Sequence, residues 1–359
     1  MICSNARLMV VLAAALAGVW AVQAQEGGDS TVPAILVIGG ATPDDIAPDE
    51  DGDFINDAVA YVPSENTWYD IADMPTPRRA MGYTNYEGLL YVYGGWTDAG
   101  EDQGGGRAVA ALEIYDPSSN TWRQGAEMPR PVGKMGHYYP AVDGRIYVGG
   151  GERPWRESRL DEFVVYDIAD DSWEILDPMP ETRTFPYVMA NPLEPHLIHF
   201  VAGNTDAFHE MSDFHHVYDT RNGEWDTESY PPFPVAQTDG DGASMYDGHW
   251  WIIGGWNRDG PLNVTKAYDF EEDRWLERPR PGSFDSWTHQ ATAVAEVDGE
   301  ERLYKLGGRI NGTVSDEVWH YDGEAWREAP TRMPLRRWNF VAVTMDLDLE
   351  QVEALEPQP

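Results

Sequence analysis

The sequence predicts an all-β protein, a six-bladed β-propeller with four antiparallel strands per blade. Three observations lead to this prediction. Six apolar segments end in a pair of small residues, each is followed by a second β-rich segment containing a tyrosine, and a tryptophan follows each tyrosine. Successive tryptophans are 50 to 54 residues apart. A fixed period near fifty residues is the mark of a repeat architecture in which each repeat is one sheet.

The small-residue pair ends the second strand of each blade. Glycine adopts backbone angles closed to other residues and lets another chain approach closely, so it fits the point where a strand leaves its sheet. The six segments are 34–40, 90–96, 146–151, 198–204, 250–256 and 303–309.

The aromatic residues of each repeat are expected to fill the wedge between neighbouring blades, because large rings bury the most apolar surface per residue. We therefore assign them to the core and give them no chemical role. They are Tyr61, Tyr115, Tyr166, Tyr218, Tyr268 and Tyr321, followed by Trp68, Trp122, Trp173, Trp225, Trp275 and Trp326.

The chain ends indicate how the ring closes. The first repeat begins directly at its diglycine strand, whereas the last repeat is followed by an extra strand-like segment, residues 338–344. This C-terminal strand is predicted to complete the first blade, which leaves no open sheet edge within the ring.

These repeats resemble kelch repeats. The resemblance rests on the diglycine, on the aspartate that follows the tyrosine in five repeats, on the downstream tryptophan, and on a Met-Pro pair such as Met74-Pro75. It covers residues 33–346, with Val62 and Ala202 as departures from the pattern. The family includes enzymes and non-enzymes, so the resemblance alone leaves the function open.

The N-terminus has the pattern of a signal peptide. Arg7 precedes an apolar run from Leu8 to Val22, and small residues end at Ala24. We predict a signal peptide at 1–24, a linker at 25–32, the propeller at 33–346 and an acidic tail at 347–359. The mature protein is expected to be secreted or periplasmic, without membrane insertion. The single cysteine, Cys3, lies in the segment to be removed.

The charge is strongly acidic, with 62 acidic against 25 basic residues and a net charge of −37. Nucleic acids and anionic membranes are bound through basic patches, so neither is an expected partner. The acidic residues are scattered, which is typical of a highly soluble surface.

Candidate ligand-binding residues lie on one face. Strand directions alternate within a blade, so the loops after the diglycines share a face with the loops that lead into the next inner strands. Arginine on that face can bind carboxylate groups in bidentate fashion, and tryptophan can stack on a sugar. Alternatively, these arginines pair with acidic neighbours and hold the blades together. The candidates are Arg79, Trp96, Arg153, Arg183, Trp256, Arg309 and Arg337.

Two functions fit this face. The first is a binding module for a small polar or anionic ligand, such as a sugar acid, or for a partner protein. The second is an enzyme resembling the exported kelch epimerase that acts on sialic acid, which needs an acid–base pair. The candidate acid–base residues are His137, Glu152, Glu210 and His289. A copper radical oxidase is excluded because its cysteine–tyrosine crosslink requires a cysteine.

No cofactor is expected to be required, although one loop resembles a calcium site. Asp49, Asp51 and Asp53 place carboxylates at alternate positions, as short calcium loops do. Phe54 stands where such loops have glycine, and a solvated acidic loop is the alternative.

Overall fold

The computed structural model describes residues 31–43, 53–98, 106–153, 159–205, 210–239, 241–282 and 286–348, together with Leu355. All regular structure in these ranges is β-strand, which confirms the all-β prediction. Within the same ranges no helix has the length and apolar character needed to cross a bilayer. The predicted signal peptide, Asp49 and Asp51 lie outside the described residues.

The described strands form six antiparallel sheets of four strands. In chain order of their repeats the sheets comprise: sheet 1, Thr31–Ile38, Ala58–Val62, Thr67–Asp70 and Val341–Asp348; sheet 2, Gly82–Tyr86, Leu89–Tyr93, Leu112–Asp116 and Thr121–Gln124; sheet 3, Ala141–Val142, Arg145–Gly149, Phe163–Asp167 and Ser172–Ile175; sheet 4, Tyr187–Ala190, Leu197–Val201, His215–Asp219 and Glu224–Asp226; sheet 5, Ala243–Tyr246, His249–Ile253, Thr265–Asp269 and Arg274–Glu277; sheet 6, Ala291–Val297, Glu300–Leu306, Val318–Tyr321 and Trp326–Glu328.

Four further small sheets are formed by short paired strands. They follow the small-residue pairs and hold the loops on which the candidate residues lie. They are Ala41–Thr42 with Asp53–Phe54, Trp96–Thr97 with Arg107–Ala108, Trp256–Asn257 with Gly260–Pro261, and the set Trp287–Thr288, Arg309–Ile310 and Thr313–Val314.

Sheet 1 joins the two ends of the described chain. Its first strand pairs antiparallel with its last over eight residues, with Thr31 opposite Asp348 and Ile38 opposite Val341. This is the pairing between residues 34–40 and the C-terminal strand that the sequence predicts. The paired halves, residues 34–38 and 341–345, are almost entirely apolar and buried, so sheet 1 is covered on both faces in this part.

The small-residue pairs have the backbone that their position requires. Gly39 and Gly40 have φ angles of 63° and 100°. A Cβ atom on Gly40 would lie 2.8 Å from Cβ of Phe340 and 2.9 Å from the carbonyl oxygen of Trp338. Only glycine fits there, because both the backbone angle and the close approach exclude a side chain.

In four of the six sheets the repeated tryptophan bonds the segment that joins its sheet to the one before it. In sheet 2, the indole Nε1 of Trp122 donates to the carbonyl of Ala72 (2.7 Å). Asn120 accepts from the hydroxyl of Tyr115 (2.8 Å) and from the amide of Ala72 (2.7 Å). Equivalent tryptophan bonds join Trp173 to Ala126, Trp275 to Pro231 and Trp326 to Pro279. The aromatics are therefore structural, as the sequence indicates.

Candidate functional site

Six segments, which we call the lead-in segments, each precede an edge strand: the first strand of sheets 2 to 6 and the C-terminal strand of sheet 1. The central residue of each segment forms a β-bridge with the loop that follows the small-residue pair of its own sheet. The bridged pairs are Arg79 and Trp96, Gly133 and Glu152, Thr184 and Asn204, Thr238 and Trp256, Thr288 and Arg309, and Trp338 and Ala41.

The lead-in segments are hydrogen-bonded in a circuit. Among the described residues each segment is bonded to the next, and the sixth is bonded to the first. The bonds are Ala80 N to Asn339 O (3.1 Å), Met135 N to Ala80 O (3.3 Å), Phe185 N to Lys134 O (3.2 Å), Thr238 Oγ1 to Thr184 O (3.3 Å), His289 N to Asp239 Oδ2 (2.7 Å) and Asn339 N to His289 O (3.2 Å).

A left-handed turn gives these segments their shape. The residue after the bridge has a φ angle of about 50° in five of the six segments, and none of the five is glycine. Non-glycine residues rarely adopt this conformation, so the circuit holds them in it. They are Ala80, Lys134, Phe185, His289 and Asn339, with φ angles of 51°, 50°, 51°, 56° and 52°.

Two predicted ligand arginines meet at one tryptophan. The guanidinium carbon of Arg79 lies 4.3 Å from the ring centre of Trp338, and that of Arg309 lies 4.2 Å from it. Arg79 also lies 5.2 Å from the ring of Phe54. Both arginines are partly exposed, whereas the tryptophan is buried. Guanidinium groups at these distances stack on an aromatic face, so the Trp338 ring holds both cations in place.

His289 and Asp239 form an acid–base pair beside these cations. Nε2 of His289 lies 3.7 Å from Oδ1 of Asp239, and the His289 amide donates to Oδ2 of the same carboxyl group. The His289 ring meets Trp338 edge to face, with ring centres 5.2 Å apart. The aspartate is buried, and the histidine side chain is 26% exposed. The pair therefore contacts the same tryptophan on which the two arginines stack.

A second histidine and a second carboxyl group lie near the first pair and are more deeply buried. Nε2 of His137 lies against Oδ1 of Asp241, and the His137 ring stacks near Phe185 at 6.2 Å. Both side chains are almost fully buried. Apart from this contact with His137, the oxygens of Asp241 have no polar partner among the described residues. A buried carboxyl group with so few partners is uncommon in folded proteins.

Burial shifts the protonation of all four groups. Desolvation lowers the pKa of His137 to about 4, against the smaller opposing effect of Asp239. Desolvation, with Arg309 and Arg79 adding to it, lowers the pKa of His289 to about 3. Burial raises the pKa of Asp241 well above its ordinary value, and burial together with Asp241 does the same for Asp239. Both histidines are thus neutral at pH 7, and the two carboxyl groups resist ionisation.

We name Arg79, Arg309 and Trp338 the cationic rim, and Asp239, Asp241, His137 and His289 the acidic floor. The sequence singled out Arg79, Arg309, His137 and His289, and the structure brings these four together. It missed the role of Trp338, assigned to the terminal strand, and the role of Asp241. The only available signal for Asp241 was the Asp-Gly-Asp-Gly run at 239–242, which has no counterpart in the other lead-in segments.

Arg183 and Arg337 require a correction, because neither reaches the surface. Arg337 is 0% exposed and donates to the carbonyls of Gly39 (3.3 Å) and Asp57 (3.2 Å) and to the Asp57 carboxylate. Arg183 is 1% exposed and donates to the carbonyl of Ala202 (3.3 Å), with its second nitrogen 3.0 Å from Nδ1 of His216. Both hold their own sheet together, which was the alternative interpretation of the arginines, and we leave them out of the site.

The same structural role recurs in three other sheets. A long polar side chain donates to the carbonyl of the first residue of the small-residue pair, which would otherwise be buried without a partner. The donors are Arg78 to Gly94 O (3.2 Å), Gln237 to Gly254 O (3.2 Å) and Lys305 to Gly307 O (3.0 Å).

Glu152 lies apart from the acidic floor. It is fully buried, and its Oε2 is 3.0 Å from Nζ of Lys134 and 3.6 Å from Nη1 of Arg159. Arg153 donates to Glu162 (2.8 Å), and Glu210 is an exposed loop residue. The structure therefore does not bring Glu152, Arg153 or Glu210 into the rim or the floor.

The two predicted stacking tryptophans belong to the bridged pairs. Trp96 is 9% exposed and its indole fills the space next to Gly133, where a Cβ atom would overlap the ring. Trp256 is partly exposed and forms the bridge with Thr238. Trp96 therefore supports the neighbouring lead-in segment, and Trp256 is the more accessible of the two.

Of the three predicted calcium ligands, only Asp53 lies in the described part of the chain. Asp53 is exposed and pairs with Thr42 in a short strand. Within the described ranges no group of three or more histidine, cysteine, aspartate or glutamate residues is arranged to hold a metal ion. The calcium site stays a prediction.

Comparison with known proteins identifies the repeats. A family model described as the KLHDC2/KLHL20/DRC7 Kelch-repeats domain matches residues 25–187 and 136–349. Kelch-like protein 36 of Mus musculus is 25% identical over 230 residues, which are 61% of this chain and 34% of that protein. Kelch repeat and BTB domain-containing protein 12 of Homo sapiens is 35% identical over 146 residues, 39% of this chain and 23% of that protein.

A third relative, Kelch-like protein 41a of Danio rerio, is 27% identical over 287 residues, 75% of this chain and 44% of that protein. The chain thus spans less than half the length of these curated relatives. Their names describe repeats and a BTB domain and state no ligand.

Proposed function

The chain belongs to the kelch-repeat family. From this premise we propose that its six sheets are the blades of a closed propeller. We also propose that one loop face binds a ligand by contacting the ligand's carboxylate group. The circuit of hydrogen bonds through the six lead-in segments supports the ring. So does the pairing of the first and last strands of sheet 1. In such a ring the innermost strands surround an axial channel, and the lead-in segments form its mouth.

The observation that carries the binding proposal is the cationic rim. Two arginines stack on one tryptophan at about 4 Å in a chain whose net charge is −37. A surface so rich in carboxylates repels anions in general, so a fixed pair of guanidinium groups is a local exception at which an anion is favoured. Paired arginines match the geometry of a carboxylate.

The ligand has two sources with the same chemistry. It is either a free sugar acid or an acidic segment of a partner protein. Since kelch relatives with further domains share the repeats, a protein partner is as consistent with the family as a small molecule. We also propose that the protein acts outside the cytoplasm, after removal of the leader predicted at 1–24. N-terminal sequencing of the exported protein tests that proposal.

The binding proposal is tested by calorimetric titration of the mature chain. The small-molecule arm uses N-acetylneuraminate and galacturonate, with N-acetylmannosamine and galactose as neutral counterparts. The protein arm uses a glutamate-rich peptide and its glutamine counterpart. We expect the acidic member of at least one arm to bind and its neutral counterpart to bind at least tenfold more weakly.

The matched variants separate the rim from overall charge. Arg79→Gln with Arg309→Gln should weaken binding of the acidic probe at least tenfold. Arg130→Gln with Arg336→Gln removes the same charge from exposed positions and should leave binding unchanged. Equal affinity for acidic and neutral probes in both arms, or undiminished binding by the rim variant, would refute the proposal.

A second candidate function is an isomerase acting on an acidic sugar. The specific observation in its favour is the 3.7 Å contact of His289 with Asp239, next to the two arginines. Opening a sugar ring needs proton transfer at the anomeric centre, for which a carboxyl group and a neutral imidazole are suited. The measurement is the rate of anomer interconversion of N-acetylneuraminate by NMR. The enzyme should accelerate it, and Asp239→Asn should remove the acceleration; no acceleration by the wild type rejects this candidate.

A further inference from the structure

Sheet 1 differs from the other five sheets in the loop residue that bridges its lead-in segment. In sheet 1 this residue is Ala41, whereas in the other sheets it has a long side chain. A long side chain at this position can cover the next lead-in segment. The indole of Trp96 covers Gly133 in this way. The guanidinium group of Arg309 covers Trp338. The methyl group of Ala41 is too short to do the same. The five long residues are Trp96, Glu152, Asn204, Trp256 and Arg309.

Two aromatic rings flank Ala41. It lies directly opposite Phe54 in the pair of short strands and directly opposite Trp338 in the bridge. Residues directly opposite each other on antiparallel strands project from the same face, with Cβ atoms about 5 Å apart. Both rings therefore stand on one face, with a single methyl group between them. We call this arrangement of Phe54, Ala41 and Trp338 the aromatic slot.

The guanidinium group of Arg79 occupies the aromatic slot. Its central carbon lies 5.2 Å from the ring centre of Phe54 and 4.3 Å from that of Trp338. Together these distances come to about 9.5 Å, which is close to two strand spacings of roughly 4.8 Å each. The guanidinium group therefore lies between the two rings, with one ring on each of its faces.

The backbone on both sides of Arg79 is hydrogen-bonded to sheet 1, which directs the side chain into the slot. The preceding residue is bonded to the loop that carries Phe54, and the following residue to the lead-in segment that carries Trp338. The bonds are Gly40 N to Arg78 O (2.9 Å), Arg78 N to Ile55 O (3.2 Å) and Ala80 N to Asn339 O (3.1 Å). The Phe54 ring is confined as well, because a Cβ atom on Gly106 would lie 3.1 Å from its Cζ.

We propose that Phe54 and Ala41 are positioning residues of the cationic rim. Phe54 grips the guanidinium group of Arg79 against Trp338, and Ala41 leaves it room. This inference rests on the proposed function and names what orients one of its arginines. With a ring over each face, Arg79 meets a ligand through its N–H edge, which is the edge that forms bidentate bonds to a carboxylate. A side chain ordered before binding also loses less entropy when the ligand arrives.

The first readout is the side-chain Nε–H NMR signal of Arg79 in the mature chain, assigned by its loss in Arg79→Gln. Phe54→Leu removes one ring from the slot and should move this signal toward the position of exposed arginines. Phe54→Tyr retains the ring and should leave the signal in place. Ala41→Val keeps both rings but fills the space between them, so it should move the signal as well.

The second readout is the affinity for the acidic probe that binds in the calorimetric titration. Phe54→Leu should weaken this binding roughly fivefold, which corresponds to the loss of one cation–π contact. Phe54→Tyr should bind as the wild type does, and Ala41→Val should bind at least fivefold more weakly. Tyr69→Leu removes an aromatic ring from the outer strand of the same sheet and should change neither the affinity nor the Arg79 signal.

A Phe54→Leu variant with wild-type affinity, or with an unmoved Arg79 signal, refutes the positioning role and leaves the proposed function standing. Phe54→Leu decides the matter if Ala41→Val does not fold. If no acidic probe binds to the wild type, the proposed function fails, and the Arg79 signal alone then decides whether the aromatic slot holds this side chain.

Discussion

Replacing Arg337 with methionine tests whether the buried arginines hold the fold rather than a ligand. The guanidinium group of Arg337 bonds the carbonyl of Gly39 at 3.3 Å, the carbonyl of Asp57 at 3.2 Å and the Asp57 carboxylate. Methionine fills most of the volume without a donor. Its neighbour Arg336 is exposed, so Arg336→Met is a matched control one residue away.

The expected cost follows from the three bonds. The Gly39 carbonyl would be buried without this partner, which costs about 1–3 kcal/mol. The Asp57 carbonyl keeps its bond from the amide of Gly39, and the Asp57 side chain is 35% exposed and can rehydrate. Breaking a fully buried pair costs about 3–5 kcal/mol, so we expect the lower limit, about 3 kcal/mol. For a domain of this size that is a drop in Tm of roughly 6 °C.

Thermal unfolding followed by circular dichroism at pH 7 measures this drop. Arg337→Met should melt roughly 6 °C below the wild type, and Arg336→Met within 1 or 2 °C of it. An Arg337→Met variant that melts with the wild type would refute the structural role. It would return Arg337 to the ligand face on which the sequence had placed it.

Three further predictions concern the sheets and their protonation. Asn120→Ala should destabilise the protein by about 1 kcal/mol more than Asn66→Ala in urea unfolding. The reason is that Asn120 accepts two hydrogen bonds, from Tyr115 and from the amide of Ala72, whereas Asn66 accepts one, from Tyr61. Equal losses would contradict a stabilising role of the bond between Ala72 and Asn120. His199 and His215 lie 2.7 Å apart, and burial lowers the pKa of both, that of His215 to about 4. The contribution of the two neutral histidines to the free energy of unfolding is therefore full above pH 6.5 and is lost as the pH falls toward 4. Between pH 6.5 and pH 4 the free energy of unfolding of the variant with His199→Gln and His215→Gln should change less with pH than that of the wild type. Burial lowers the pKa of Lys305 to about 7. The wild type should gain stability relative to Lys305→Met between pH 7 and pH 9, because the unfolded chain keeps the proton that the folded chain releases; a constant difference would contradict this assignment.

The fold was predictable from sequence because its signals are periodic. A small-residue pair, and a tyrosine followed by a tryptophan, recur in all six repeats. Each has a structural cause that the structure shows, as at Gly40 and at Trp122. The pairing of the terminal strand could be inferred because the first repeat begins without an inner strand, whereas residues 338–344 form an extra strand after the last repeat.

The site was only partly predictable, because its residues lie outside regular strands. Arg78 and Arg79 are adjacent in the sequence. The side chain of Arg78 is buried and donates to the carbonyl of Gly94, whereas that of Arg79 stacks on Trp338. Arg336 and Arg337 differ in the same way. Which neighbour points outward is set by a bridge to a distant loop, such as that between Arg79 and Trp96, and no local pattern encodes it.

Asp241 shows a second limit. In sequence it is one of many acidic residues in a loop with glycines, and such residues are usually solvated. In the structure its side chain is buried against His137, which is about a hundred residues away in the chain. Only the packed lead-in segments bring the two together.

The most direct test of the account is the indole NMR signal of Trp338 during titration with the acidic probe that binds. The signal is assigned by its loss in Trp338→Phe. Because both arginines of the rim stack on this ring, we predict that the signal shifts with the ligand in the wild type and no longer shifts in the Arg79→Gln, Arg309→Gln variant. A probe that binds without moving this signal, or that moves it equally in the variant, would contradict the claim that the rim is the binding site.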